Sequence, residues 1–309
     1  MALDLLSLLV VLGLSSAAPD LIRLREFGWL RDWAEWLHGI NQPNGFWRSG
    51  GGLVLTLGLP VLAVALLQAL LAPALSGALG FVFGVVVLFW CFGPRDLDQD
   101  VSDFVDGHDP EARAAAARAL DIEAPLQQQS VDAAPKAAAD APAPVFNHAV
   151  DAIFEAALKR WFGVIFWFLV FGAAGAALYR LAQLIADRRE LRESLPARQI
   201  EWAERLWAAL AFIPAHLMSL SLALASDFDS VVRAWREHHE KHGQGWLHLD
   251  LGFLTAAARA LVDADDLDPV LDAHGNGSAL AARQAQQLVW RVLIAWLAAM
   301  ALVVLLGWT

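Results

Sequence analysis

Residues 147–205 read NHAVDAIFEAALKRWFGVIFWFLVFGAAGAALYRLAQLIADRRELRESLPARQIEWAER. An apolar centre rich in Trp and Phe follows an amphipathic approach and leads into an Arg-rich exit. A helix crosses a bilayer with about 20 apolar residues, and 161–181 meets that length. The stretch therefore reads as a membrane span with a basic flank.

Three further stretches have the same character: 52–71, 74–93 and 288–308. Two more are marginal, 3–18 and 206–225; the second carries Pro214 and His216. The whole chain is 58% hydrophobic with a mean hydropathy of +0.47, above the roughly half-apolar usage of soluble domains. Inside lipid every backbone amide must be bonded internally, and segments this long are helices rather than barrel strands. The expected fold class is all-α: a polytopic α-helical membrane protein with four to six membrane helices and amphipathic loop helices, multi-pass in an inner membrane.

The 14 Trp gather near span ends. Trp47, Trp90, Trp161, Trp202, Trp207, Trp290 and Trp308 are expected at headgroup depth; packing inside the bundle is the alternative. One Cys, Cys91, lies in an apolar span and gives neither a disulfide nor a C-x-x-C signal. A net charge of −11 without a basic stripe excludes a nucleic-acid partner. The apolar run 5–14 resembles a signal peptide, but Asp4 precedes it where Lys or Arg is usual, so a retained hydrophobic or re-entrant helix is expected.

The chain divides at composition shifts. Residues 1–51 hold the N-terminal hydrophobic helix and an amphipathic surface helix over 20–39, closed by the turn cluster 41–45. Residues 52–93 form a membrane hairpin in which Gly77, Gly80 and Gly84 allow close helix packing, within the bundle or in a homo-oligomer. Residues 94–159 are an acidic loop with 13 Asp/Glu against 5 Lys/Arg. It contains a helix through Phe104, a second from Pro110, which suits a first helical turn, and a disordered Ala/Pro tether over 121–146. Residues 160–226 hold central membrane helices and the Arg-rich connector. Residues 227–287 are a polar helical block, with helices near 231–242 and 253–262. Residues 288–309 are the last membrane helix. In this scheme one face collects the loops before 53, between 93 and 161, and after 225; the other holds 182–205. The first face is assigned to the cytoplasm by its total of basic residues.

The chemistry-bearing residues are sparse. Counted from Asp96, the acidic run lacks the Gly and Glu of a Ca²⁺-binding loop, with Val101 and Gly107 in their places; it reads as a solvated face. His238 and His242 have the i, i+4 spacing of helical zinc ligands, but the glutamate of H-E-x-x-H is replaced by His239. Neither a Ser/His/Asp arrangement nor a phosphate-binding glycine loop is present. No metal and no cofactor is expected.

Two strings carry a family resemblance. FWFLVFGAAGAALYR, over 166–180, resembles the "LFYxLLGGAPGALAYR" of the AmpE proteins and of the wider CobD/CbiB membrane proteins, with Gly172, Ala173, Gly175, Ala176, Tyr179 and Arg180 in place. ERLWAALAFIPAHL, over 204–217, resembles "ARLDDLxNWIPARL", keeping Arg205, Leu206, Ile213, Pro214, Ala215 and Leu217. The CobD-type enzymes join an amino-alcohol phosphate to a corrinoid acid in an amide. Their E-N-x-x-D falls on Glu155, Ala156 and Lys159, where only the Glu is kept. Their N-T-L-D-S-M falls on 183–188, and their D-D on Trp207 and Ala208. With those acid positions changed, the resemblance favours the AmpE branch. It implies a bacterial, non-catalytic regulatory or accessory protein, linked to cell-wall recycling and β-lactamase induction, with protein partners on the cytoplasmic loops. The alternative is a CobD-like site for a phosphorylated or cell-wall metabolite, lined by Glu155, Arg180, Arg205 and His216. For both Arg the competing reading is a side chain snorkelling from a span end into water. No internal inverted repeat supports a transporter.

Overall fold

A computed structural model describes residues 2–17, 27–41, 47, 50–73, 77–92, 97–106, 110–120, 143–242, 249–262 and 276–307. Among them all regular structure is helical. The helices are α1 (Ala2–Ala17), α2 (Gly28–Asn41), α3 (Gly51–Leu71), α4 (Ala78–Cys91), α5 (Leu97–Asp106), α6 (Pro110–Ala119), α7 (Ala143–Ala157), α8 (Gly163–Asp187), α9 (Arg189–Ser194), α10 (Ala197–Ala225), α11 (Phe228–His242), α12 (Gly252–Leu261) and α13 (Asn276–Leu305). One π-helical turn, Leu158–Phe162, joins α7 to α8. Among the described residues four stretches are, by length and composition, long and apolar enough to cross a bilayer: Gly51–Leu71, His148–Asp187, Ala197–Ala225 and Ala279–Leu305. The chain is a multi-pass helical membrane protein.

Its contacts fall into two compact units. One comprises Met1–Pro94, Lys159–Ala215 and Leu297–Thr309, the other Arg95–Leu158 and His216–Trp296.

In the first unit α8 departs from the expected single span. Gly172 has φ 67 and ψ −150, a region open essentially to glycine alone, and the helix turns back there. A straight helix would hold residues 159 and 187 about 40 Å apart at 1.5 Å per residue; instead Lys159 Nζ lies 3.5 Å from the Asp187 carboxylate. The two legs, 159–171 and 173–187, touch along their length. A Cβ on Gly163 would stand 2.1 Å from the Tyr179 ring, and one on Gly175 2.2 Å from the Trp167 carbonyl oxygen. Glycine at both places permits that approach. Each leg has 15 residues or fewer, short of the usual span.

Neighbouring elements hold this hairpin. From α3, the Gln68 amide bridges its turn: Nε2 donates to the Phe171 carbonyl at 3.3 Å, and Oε1 accepts from the Ala174 N–H at 3.0 Å. From leg 159–171, Trp167 Nε1 donates to the Leu210 carbonyl at 2.9 Å. Leu210 is four residues before Pro214, so its carbonyl is the one that proline leaves without a helical donor. That is how α10 continues through Pro214, and why the marginal stretch 206–225 lies inside a 29-residue helix. Gln199, fully buried, donates to the Trp47 carbonyl at 2.7 Å and accepts from Thr56 Oγ1 at 3.3 Å.

Several expectations change. The Arg-rich connector 182–205 does not face away from the segment before 53. Arg188 packs over Phe27, and Gln199 reaches Trp47, because the hairpin returns to the end it started from. The expected span 74–93 is described as the 14-residue α4, and the expected 3–18 as the 16-residue α1; the two pack together. Trp47 and Trp161 are buried and pack rather than form a belt, while Trp202 and Trp290 are exposed; Trp308 lies outside the described residues.

In the second unit α11 and α12 form an antiparallel pair whose apolar contact includes Val231, Ala257 and Leu261 against Ala223 of α10. α12 also packs on α7, where Arg259 pairs with Asp151 through its Nε at 2.6 Å; that carboxylate raises the Arg259 pKa. α5 packs on α6 and α7, and Arg283 of α13 pairs with Asp106 of α5. The loop helices expected through Phe104, from Pro110, and near 231–242 and 253–262 are present. Of the expected tether, 143–146 belong to α7 and 121–142 lie outside the described residues, as do the turn residues 42–45.

Candidate functional site

The hairpin sets a line of polar side chains along its second leg. Arg180, Gln183 and Asp187 follow at steps of three and four, which places them on one helix face. Arg180 Nη1 donates to Gln183 Oε1 at 2.8 Å, and Gln183 Nε2 donates to Asp187 Oδ2 at 3.0 Å. From the first leg, Lys159 closes the line on Asp187 and lies 5.6 Å from the Trp207 ring centroid.

Arg180 is the unusual member. It is only 4% exposed, and its Nε has no hydrogen-bond partner. Among the described residues it forms no ion pair with a carboxylate, and its Nη1 is bonded to the neutral Gln183 amide. Its guanidinium stands 5.2 Å from the Phe27 ring centroid, and Arg188 stands 5.9 Å from the same ring. Arginine stays protonated in proteins, and a buried charge without a counter-ion is costly. Arg180, buried, and Arg188, half-buried, thus form a cationic corner around Phe27, and the unused Nε donor of Arg180 suits a planar anion.

The other expected site residues are placed differently. Arg205 is on an exposed face of α10, paired with Glu201 at 2.7 Å and over the Trp202 ring. Its side chain is 62% exposed, so the snorkelling reading describes Arg205 and fails for Arg180. Glu155 is exposed on α7 and His216 half-buried on α10, both in the second unit. The His216 ring packs on Phe253, 4.2 Å between centroids, and on Trp235. His238 Nε2 meets Asp250 at 2.9 Å, a clasp across the α11–α12 pair that Gly252 leaves room for. The His242 side chain lies outside the described residues, and among those described no group of three metal-ligating side chains occurs.

Sequence reasoning aligned Lys159, Gln183 and Asp187 with the family's acid-bearing strings without knowing that they meet. The hairpin brings them together. An ammonium–carboxylate pair now stands where the two strings face each other. Gln68 and Phe27 carried no signal; a lone Gln in an apolar span is the one hint the first offered.

Compared with known proteins, the chain is similar to a protein described as cobalamin biosynthesis protein CobD from Stutzerimonas stutzeri (strain A1501), at 30% identity over 217 residues. The match covers 69% of this chain and 66% of that protein, so the chain spans just under two thirds of its relative's length. No family model matches the chain, and no solved structure matches it.

Proposed function

We propose that this chain is a non-catalytic, ligand-binding membrane protein of the CobD-like kind, in the bacterial inner membrane, whose Arg180 corner receives the anionic group of a small molecule. The observation that carries the proposal is the buried Arg180 with its unbonded Nε, hydrogen-bonded to a neutral amide and, among the described residues, in no ion pair with a carboxylate. The candidates, a corrinoid acid or an amino-alcohol phosphate, are those implied by the resemblance to the CobD-type enzymes, and the similarity to a protein described as a cobalamin biosynthesis protein supports that choice. Lys159, paired with Asp187, stands where the E-N-x-x-D string of the CobD-type enzymes has its Asp, and Ala186 where N-T-L-D-S-M has its own, which favours binding without turnover. The test is the thermal shift of the purified protein in mild detergent with each compound. One of them is expected to stabilise the wild type. Arg180→Ala should weaken its binding about thirtyfold or more, following the 2 kcal/mol or more for loss of a buried charge partner. Arg205→Ala should bind normally. If neither compound shifts the wild type, the reading fails.

A second reading is a regulatory role of the AmpE kind, exercised through protein partners and tied to cell-wall recycling. It is favoured by the exposed charged face of α11, with Arg233, Arg236, Glu237 and Glu240. Recovery of one stoichiometric partner, lost on reversing those four charges, would support it.

A further inference from the structure

Gln183, 6% exposed, stands between two charges of opposite sign. Its Oε1 accepts from Arg180 Nη1 at 2.8 Å, and its Nε2 donates to Asp187 Oδ2 at 3.0 Å. Only one orientation of the amide serves both bonds. Turned over, it would set an NH₂ against the guanidinium and a carbonyl oxygen against the carboxylate. The side chain is therefore fixed at both ends.

Spacing gives this position its meaning. Asp187 follows Arg180 by seven residues, about 10.5 Å of helix rise, so the carboxylate bonds the amide and not the guanidinium. Lys159 lies 3.5 Å from the other oxygen of Asp187, whose side chain is 52% exposed. The carboxylate thus has a cation of its own and access to water. From Lys159 to Arg180 the line runs positive, negative, neutral, positive, and the neutral place adjoins the most buried charge. Arg180 is left with an amide oxygen, the Phe27 ring at 5.2 Å and an Nε without a partner. A dipole and a ring face offset a buried guanidinium only in part.

We propose that Gln183 sets the charge selectivity of the Arg180 corner: as a neutral spacer it withholds a carboxylate from the guanidinium, so that the corner takes an ionised acid group and rejects the same molecule without that charge. The proposal rests on the reading of this corner as a ligand site. Gln183→Glu keeps the length and shape of the side chain and sets a carboxylate against Nη1, which ends the demand for an anion from outside. The desolvation of Arg180 is already borne in the wild type, so the new partner is a gain to the fold.

The experiment uses the full chain in mild detergent, melted alone and with two pairs of compounds: a corrinoid acid and its carboxamide, and an amino-alcohol phosphate and its free alcohol. The wild type should be stabilised by the charged member of a pair and not by the other. Without ligand, Gln183→Glu should melt a few degrees above the wild type. Its affinity for the charged member should fall about thirtyfold or more, because the anion must displace a buried ion pair. Gln183→Met, with neither charge nor amide, should melt below the wild type and keep the preference. In an Arg180→Met background, Gln183→Glu should raise the Tm no further, which ties the gain to the guanidinium. Gln183→Glu that fails to fold, melts at or below the wild type, or binds the charged member as well as the wild type does would overturn the proposal. If no compound stabilises the wild type, the ligand reading and the selectivity fall together. The unliganded melt of Gln183→Glu tells the two failures apart, since it needs no ligand.

Discussion

Trp167 shows how one side chain settles a question that the residue pattern leaves open. Its indole N–H reaches the carbonyl of Leu210, the group orphaned by Pro214. Trp167→Phe keeps the ring contact with Phe171 and removes the donor. It is expected to cost about 1–3 kcal/mol, the penalty of an unsatisfied buried carbonyl, measured by unfolding in detergent. Pro214→Ala in the same background should recover most of that loss, because the new N–H bonds Leu210 within the helix. If the double variant is no more stable than Trp167→Phe, the assigned role is wrong. Pro214 was readable in the sequence as a reason to doubt a helix over 206–225. Its compensation was not, because the donor lies 43 residues earlier and reaches it only in the folded chain. Arg180 and Arg205 make the same point. Both are arginines at the edge of an apolar run, and only packing against Phe27 and the second leg buries one while the other stays in water.

At the scale of elements, periodicity located helices well and failed where backbone conformation changed inside one. The span expected over 161–181 has the right composition, and composition does not distinguish a straight rod from two legs. The GAAGA string holds the information, since Gly172 takes a positive φ, but a glycine among small residues is equally compatible with close helix packing. The start of α11, three residues before the expected 231, depends on a cap that periodicity does not reveal. Asp227 precedes α11, accepts from the Asp229 N–H at 3.1 Å and from the Ser230 hydroxyl, as an N-cap does. The Ser230 hydrogen bond lowers the Asp227 pKa. A carboxyl with a depressed folded pKa stabilises above its unfolded value, about 3.9, and loses that contribution as the pH falls through the folded value. Hydrogen exchange, corrected for intrinsic rate, should therefore show the first turn of α11 equally protected at pH 7 and pH 5 and frayed below the ordinary carboxylate range. Asp227→Ala should be frayed throughout. Wild-type protection that persists unchanged to pH 2 would contradict the cap's contribution.

For the whole molecule, the returning hairpin decides sidedness. With 161–181 as one span, the connector with Arg188, Arg189, Arg192 and Arg198 would share a face with the end of α3. With a hairpin it shares a face with α2. Cysteines placed at Glu35 and Glu193, both well exposed, should be labelled from the same side of the membrane, and one at Pro73 from the other. Cys91, the single native thiol, is buried and does not interfere. Basic residues near span ends face the cytoplasm, so the first two should react only after a reagent enters the cell. Glu193 reacting together with Pro73 would restore the single span. The total of basic residues points to this orientation in the sequence, and the connector's arginines add to that total once the connector changes sides.

The hairpin also bears on how the chain is made. A straight helix over 161–181 would oblige the insertion machinery to carry four arginines of the connector through the hydrocarbon. A segment that enters, turns at a glycine and comes back asks for no such export. The charges remain on the side where the ribosome delivers them. Only an apolar tip is pushed into the bilayer, and α3, synthesised earlier, already offers the Gln68 amide that receives it.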